Sequence, residues 1–333
     1  MPNKKNNGFT LLELMVALTL GLLIVAAGLA VFIGGQRSFA LQGGMNELQQ
    51  NANFGLAILT HDLRMTNLNT PSTQKVNNKQ VGSGVIFVGG NLPSSLSGKV
   101  DGLLTAQGVD GDATAGKSDQ LTIQYVPFKV TQKDCKKDTA DKDGNCTDEN
   151  KEDVIHYKTV DCEGNNIDFT EPRTIVQRYH LKPDTNQITG QPKAYSLYCD
   201  AGDYKDGDTV ITGMASATAN GQQLMQRIDA FKVRLEVKGP DKKLRYMTIK
   251  EYTDLMSSIT DEKQYYNVIG VEIGLLARST SPLNSEKLID NTKPFEIIGN
   301  KISLNDDQQK GSKFLREVFS QAISFRNTLG ASE

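Results

Sequence analysis

The chain has 333 residues, 37 basic against 39 acidic side chains and a formal net charge of −2. That balance excludes a broad basic footprint for nucleic acid, so no nucleic-acid partner is expected. The length allows one large domain or two small ones on a stem. Thirty glycines and no tryptophan fit a loop-rich β protein better than a helical one.

Residues 9–33 (FTLLELMVALTLGLLIVAAGLAVFI) form the first element. They are apolar, small or weakly polar, except for Glu13. A helix needs about 20 apolar residues to cross a bilayer core. A carboxylate inside such a segment costs at least a few kcal/mol and usually has a function. A short basic leader, residues 1–8 with Lys4 and Lys5, precedes the run. A cleavable secretory signal has an apolar region of only about 7–15 residues before a small-residue cut site. Ala26-Ala27-Gly28 would offer such a site, but the run is too long and holds an acid. A plain anchor would leave Glu13 as an accident near the positive end of the helix dipole.

The helix is expected to continue over residues 34–70. Gly34-Gly35 loosens it, at about 2 kcal/mol relative to alanines. Beyond them Leu41, Met45, Leu48, Ala52, Leu56, Leu59 and Leu63 recur every three or four residues, the stripe of an amphipathic helix. The stripe is read as packing on the domain's own sheet, with the helix ending near Asn67–Pro71, where Asn, Thr and Pro cluster.

Residues 71–333 read as a β-rich globular domain outside the membrane. Residues 72–84 form a loop, and Val85–Val88 a short buried strand. Asp119–Phe128 alternates as a strand. Further strands are expected at Val154–Val160, Thr174–Leu181 and Ala194–Tyr198. A helical turn at Gln223 leads into an alternating strand to Val237, and Tyr246–Ile249 pairs with it. Tyr252–Ser258 is a short helix and Val268–Leu276 a strong strand. Phe314–Asn327 fits strand or helix by pattern alone.

Four cysteines, Cys135, Cys146, Cys162 and Cys199, lie well beyond the anchor. A positive leader stays cytoplasmic, which places them across the membrane, where disulfides form. Four cysteines allow three pairings. Cys135–Cys146 with Cys162–Cys199 is preferred, because the first pair brackets a turn-rich loop. Their spacings lack the pattern of a zinc site. The three histidines stand apart, His61 in the helix and His156 and His180 in strands. With no nucleophile elbow and no phosphate loop, enzymatic function and cofactors are not expected. Asp141 and Asp143 match the middle of a calcium loop. Thr139 replaces its first acid and Asn150 its last, so a solvated hairpin tip is the preferred reading and no metal is expected.

The block Gly8-Phe9-Thr10-Leu11-Leu12-Glu13 resembles the type IV prepilin signal of pilins and pseudopilins. Val271-Glu272-Ile273-Gly274-Leu275-Leu276-Ala277-Arg278-Ser279 is similar to a strand of the PilW family of large minor pilins. So are Leu315-Arg316-Glu317-Val318-Phe319 and Ile323-Ser324-Phe325-Arg326-Asn327, which that likeness makes a strand. His61-Asp62-Leu63-Arg64 also fits, although Met65-Thr66-Asn67 replaces the family's small residue, Gly and Cys.

The resemblance implies a pilin-like α+β fold: a long amino-terminal α-helix, its first half transmembrane, packed on a mostly antiparallel β-sheet domain. It implies cleavage between Gly8 and Phe9 by prepilin peptidase, N-methylation of Phe9, and pairing of Glu13 with the terminal amine of a neighbouring subunit. The chain would sit in inner-membrane lipid with a cytoplasmic amino terminus, then pass to the pilus tip, periplasmic to extracellular. It would join other minor pilins and the major pilin in a tip or priming complex that supports biogenesis, adhesion, motility or DNA uptake and presents a tip adhesin. A J-type minor pseudopilin of type II secretion would share the anchor. A tip module contacting DNA or surfaces is the other alternative.

Overall fold

The structure, a computed structural model, describes residues 9–70, 74–100, 102–110, 117–136, 146–214, 221–283 and 289–331. Gly8, Asp141 and Asp143 lie outside the described residues.

Helix α1 (Leu11–Leu63) runs 53 residues without a break, roughly 80 Å at 1.5 Å per residue. Gly34-Gly35 does not loosen it. The two glycines weaken local propensity, but each keeps the N–H that continues the hydrogen-bond ladder. Residues 9–40 are exposed on every side. Leu48, Ala52, Gly55, Leu56, Leu59 and Leu63 are buried, with Leu41 and Met45 half-buried at the start of that stripe. The helix stops at Leu63, a turn before the Asn/Thr/Pro cluster. Asn67 and Asn69 take positive φ there, 63° and 53°, a conformation asparagine tolerates better than most residues.

The β strands are β1 (Ala106–Asp110), β2 (Ser118–Tyr125), β3 (Phe128–Cys135), β4 (Lys151–Val160), β5 (Asn166–Phe169), β6 (Thr174–Pro183) and β7 (Tyr195–Tyr204). They continue as β8 (Gln222–Met225), β9 (Ile228–Lys238), β10 (Leu244–Thr248), β11 (Asn267–Arg278), β12 (Phe295–Ile297), β13 (Asn300–Ile302) and β14 (Arg316–Ser324). Short helices α2 (Ile249–Ser257) and α3 (Asp306–Lys310) punctuate them. The sheets have the orders β1-β2-β6-β7-β8, β10-β9-β11-β14, β3-β4-β5 and β12-β13. Every strand pairing is antiparallel. A long apolar helix on antiparallel sheets is a pilin-like α+β architecture.

The buried half of α1 lies against β8, β11 and β14. Leu48, Leu56, Leu59 and Leu63 share one core with Leu121 and Ile123 of β2, Leu197 of β7, Phe231 and Leu235 of β9, and Ile273 and Leu275 of β11. Gly55 lets the sheet approach: a Cβ there would sit 1.9 Å from Met225 Cγ.

Strand β2 is buried on both faces. Its polar face meets no water, because the 83–105 loop covers it. Gln120 Nε2 donates to the carbonyls of Gly102 (3.0 Å) and Leu104 (2.6 Å), and Gln124 Nε2 to that of Ser83 (2.7 Å). The alternation is therefore that of a strand with an apolar core face and a hydrogen-bonded loop face.

Several expectations need correction. Val85–Val88 is no strand: Val85 makes one bridge to Ile123, and the segment is otherwise loop. The segment at Gln223 is strand β8 rather than a helical turn. Asp119–Phe128 divides at Val126-Pro127, since proline has no N–H for a ladder. The β12–β13 hairpin turns at Ile298-Gly299, with φ of 43° and 83°. A β-branched residue is rarely seen there. Burial of Ile298 with Ile297, Leu276 and Leu304 offsets the strain. Gly274 provides the space, because a Cβ would stand 2.5 Å from Ile297 Cγ2.

Candidate assembly site on the long helix

Thr10 is the N-cap of α1 and Glu13 its third residue, and together they form a capping box. The Glu13 amide donates to Thr10 Oγ1 at 3.2 Å. Glu13 Oε2 accepts from the Thr10 amide at 2.8 Å and from Thr10 Oγ1 at 2.9 Å. In the isolated chain the carboxylate thus closes on its own helix start, one residue from Phe9. Both bonds fall on Oε2, and Oε1 has no hydrogen-bond partner among the described residues.

From Phe9, 91% exposed, to Ile33, 47% exposed, large apolar side chains cover the helix surface without a protein neighbour. A helix that is apolar all round belongs in a membrane or inside a bundle. It is one helix long and apolar enough to span a bilayer.

The cysteines come together in pairs. Cys135 bonds Cys146 and Cys162 bonds Cys199, with Cα separations of 5.8 and 6.1 Å. The second bond is buried in the core beside Tyr179. The first closes the β3–β4 hairpin.

The histidines do not converge. His61 is exposed on α1, its Nδ1 3.3 Å from Asp62 Oδ1. His180 is buried, and desolvation pushes it down to about 3, so it stays neutral. His156 is clamped between two carboxylates, Nδ1 to Asp168 Oδ1 at 2.5 Å and Nε2 to Asp134 Oδ2 at 2.6 Å. These bonds raise its pKa, that to Asp168 first. Both ring nitrogens are occupied, and the ring bridges β3, β4 and β5. No cluster among the described residues is arranged to hold a metal.

Sequence reading missed one polar centre. Asp229 of β9 is sealed beneath two arginines. Arg316 Nε donates to its Oδ2 at 2.6 Å, and Arg278 Nε lies 3.6 Å from its Oδ1. Gln308 Oε1 accepts from Arg278 Nη1 (3.0 Å) and Arg316 Nη2 (2.5 Å). Both guanidiniums lie near the Phe314 ring, Arg278 at 4.5 Å. The signal was present: both arginines stand in the blocks that carry the family likeness, but their acid lies in another strand.

A second missed feature joins the end of α1 to the segment after β14. Asn327 Nδ2 donates to the carbonyls of Thr66 (3.0 Å) and Arg64 (3.3 Å), just past α1. Asn67 Nδ2 donates back to the carbonyl of Asn327 at 3.3 Å.

Residues 179–327 match the family model described as Type IV Pilus-assembly protein W, and residues 3–29 match the Prokaryotic N-terminal methylation motif. No curated protein matches. Among solved structures, a type IV-like pilin from Thermus thermophilus superposes with a TM-score of 0.34 and 9% identity, over 84% of this chain and 96% of that one.

Proposed function

We propose that this chain, which belongs to the PilW-type minor pilins of type IV pili, assembles with other minor pilins into the tip or priming complex of a filament. One observation carries the reading. Glu13 is the lone charge in a fully exposed apolar run, and it stands in the first turn of the helix. Prepilin peptidase would cut between Gly8 and Phe9 and leave a methylated amine beside that turn.

The mechanism is transfer of the helix from lipid to neighbouring helices. Lipid tails are as apolar as leucine, so this transfer gains little hydrophobic free energy. The bias comes from close packing and from charge. An unpaired carboxylate and an unpaired amine each carry a desolvation cost in lipid, and pairing between subunits offsets both. The capping box is the holding arrangement, because it gives the acid a partner until a neighbour's amine arrives. The domain would be held on the far side of the inner membrane, then at the tip with the major pilin below and any adhesin above.

Glu13→Ala tests the reading. Leader removal should persist, and recovery of the chain in sheared filaments should fall. Undiminished recovery overturns the charge-pair mechanism. Loss of protein secretion rather than of pili on deletion would assign the chain to a type II secretion system instead.

A further inference from the structure

The outward ridge of α1, opposite its buried stripe, carries Phe54, Ala57 and His61. Different clefts flank it. On one side a cleft of about 790 Å³ is bounded by Arg64, Arg326 and His61, over an apolar floor of Met65, Leu68 and Phe128. Among the described residues no carboxylate lines it. Arg64 and Arg326 are exposed and make no ion pair among the described residues. Phe128, at 49% exposure, leaves half its ring uncovered. On the other side a smaller cleft of about 360 Å³ is lined by Asp62, Asp161 and Glu163.

Those acids are already engaged. Asp161 accepts from the amides of Glu163 and Asn165 and from Asn165 Nδ2. Glu163 Oε1 accepts from the Ala201 amide at 3.2 Å. Asp62 Oδ2 accepts from the Tyr179 hydroxyl at 3.2 Å. The ridge is therefore flanked by spent acids on one side and unspent guanidiniums on the other.

We infer that the Arg64–Arg326 cleft is a docking surface for an acidic, apolar-edged peptide segment of a different pilin subunit. This rests on the reading of the chain as a filament subunit. A guanidinium recognises a carboxylate with two parallel hydrogen bonds, and an apolar floor beside two such groups fits a carboxylate next to an aliphatic or aromatic side chain. Nucleic acid fits poorly, because it needs a row of phosphate contacts rather than two cations over a greasy floor. The acids beside the ridge of a second copy are held within their own chain, and a minor subunit in a filament meets other subunits, which together favour a different subunit.

The test uses the full chain in cells that make filaments, with the photo-crosslinking residue p-benzoylphenylalanine replacing Phe128. Irradiation should join the cleft to a peptide of another pilin subunit containing Asp or Glu. Arg64→Glu with Arg326→Glu should lower the adduct yield about tenfold, as expected for losing two rim charge pairs. Lys79→Glu with Lys99→Glu, the same charge change elsewhere, should leave it unchanged. Molar salt on assembled filaments carrying native arginines should also lower the yield, which covers a charge-reversed chain that fails to fold. Adducts only to a second copy, to lipid, to DNA or to a segment without acids overturn the inference, as does a yield indifferent to charge and salt. A chain that enters filaments yet gives no adduct overturns this inference alone. A chain never found in filaments overturns the assembly reading beneath it.

Discussion

Arg316 Nε donates to Asp229 Oδ2 at 2.6 Å, across two strands that are not neighbours, and both side chains are sealed from solvent. Strand β11 separates β9 from β14, and its own Arg278 approaches the same carboxylate. One acid thus gathers three strands, and Asn291 and Gln308 tie in the loop after β11 and helix α3. Removing one partner of a buried charge pair costs about 3–5 kcal/mol, because the other charge stays buried without compensation. Asp229→Asn should fall in that range, since it leaves two guanidiniums facing each other. Arg316→Lys should recover only part of the loss, because an ammonium lacks the fork that reaches Asp229, Asn291 and Gln308 together. Thermal unfolding followed by circular dichroism measures both. A loss under about 1 kcal/mol for Asp229→Asn would show that the centre contributes little to stability.

Two glycines of α1 should respond oppositely to alanine. A Cβ at Gly55 meets Met225, which is buried against the helix, while Gly43 has nothing within 4 Å. Gly55→Ala should destabilise by about 1–3 kcal/mol through overpacking. Gly43→Ala should gain up to about 1 kcal/mol of helix propensity. Trimming the obstacle with Met225→Ala should make the Gly55 change milder, and a double-mutant cycle reads that coupling. Additive effects would mean that the two residues do not press on each other.

Much of this architecture was legible in the chain. Seven apolar residues at helical spacing marked the face of α1 that meets the sheets, alternation marked β2 and β9, and Val268–Leu276 marked β11. What escaped was structure whose cause lies far away in sequence. Val85–Val88 looks like a strand because it is apolar, yet it is a loop that sinks Val85 and Phe87 into the main core and touches the sheet through one bridge. The hairpin at Ile298-Gly299 carries no Asn-Gly signal, and its strained turn persists only because Gly274 leaves a hollow beneath it. Strand β3 hid in a charged run, since nearly all its side chains face solvent. At the helix start the sequence placed Glu13 near the helix end, but its capping partner Thr10 went unread. The cleft of Arg64 and Arg326 was invisible, because its two cations are 262 positions apart in the chain (326 − 64).

The clamp on His156 makes the β3–β5 sheet sensitive to pH. Hydrogen bonds from its ring to the Asp168 and Asp134 carboxylates raise the histidine, and the same bonds hold both acids below their usual range. A raised imidazole stabilises the fold fully below its unfolded value of 6.5, and that contribution fades as pH rises through the higher folded value. The lowered carboxylates act above their unfolded value of 3.8, and their contribution fades as pH falls through the lower folded value. The sheet should therefore be tightest between those two unfolded values. Proton NMR of the His156 ring should show a midpoint above 6.5, and amide protection in β4, relative to the intrinsic exchange rate, should fall at higher pH in the native chain but not in His156→Gln. A midpoint at or below 6.5 would contradict the clamp.

The two disulfides should differ in what they contribute. Cys162–Cys199 spans 37 positions and Cys135–Cys146 spans 11. Loop-closure entropy gives about 4 kcal/mol for the first and about 3 kcal/mol for the second at room temperature. Location widens that gap. Cys199 is fully buried in the main core and joins β7 to the β4–β5 turn, so its loss also disturbs packing around Tyr179 and Leu197. Cys135 sits at the end of a hairpin already held by the β3–β4 ladder. Replacing Cys162 and Cys199 by alanine should lower the denaturant midpoint more than replacing Cys135 and Cys146, and should expose the core to proteolysis around β7. The hairpin pair should leave cleavage near β7 unchanged and admit protease only between β3 and β4. The reverse order of midpoints would mean that the exposed sheet, rather than the helix-backed core, limits unfolding.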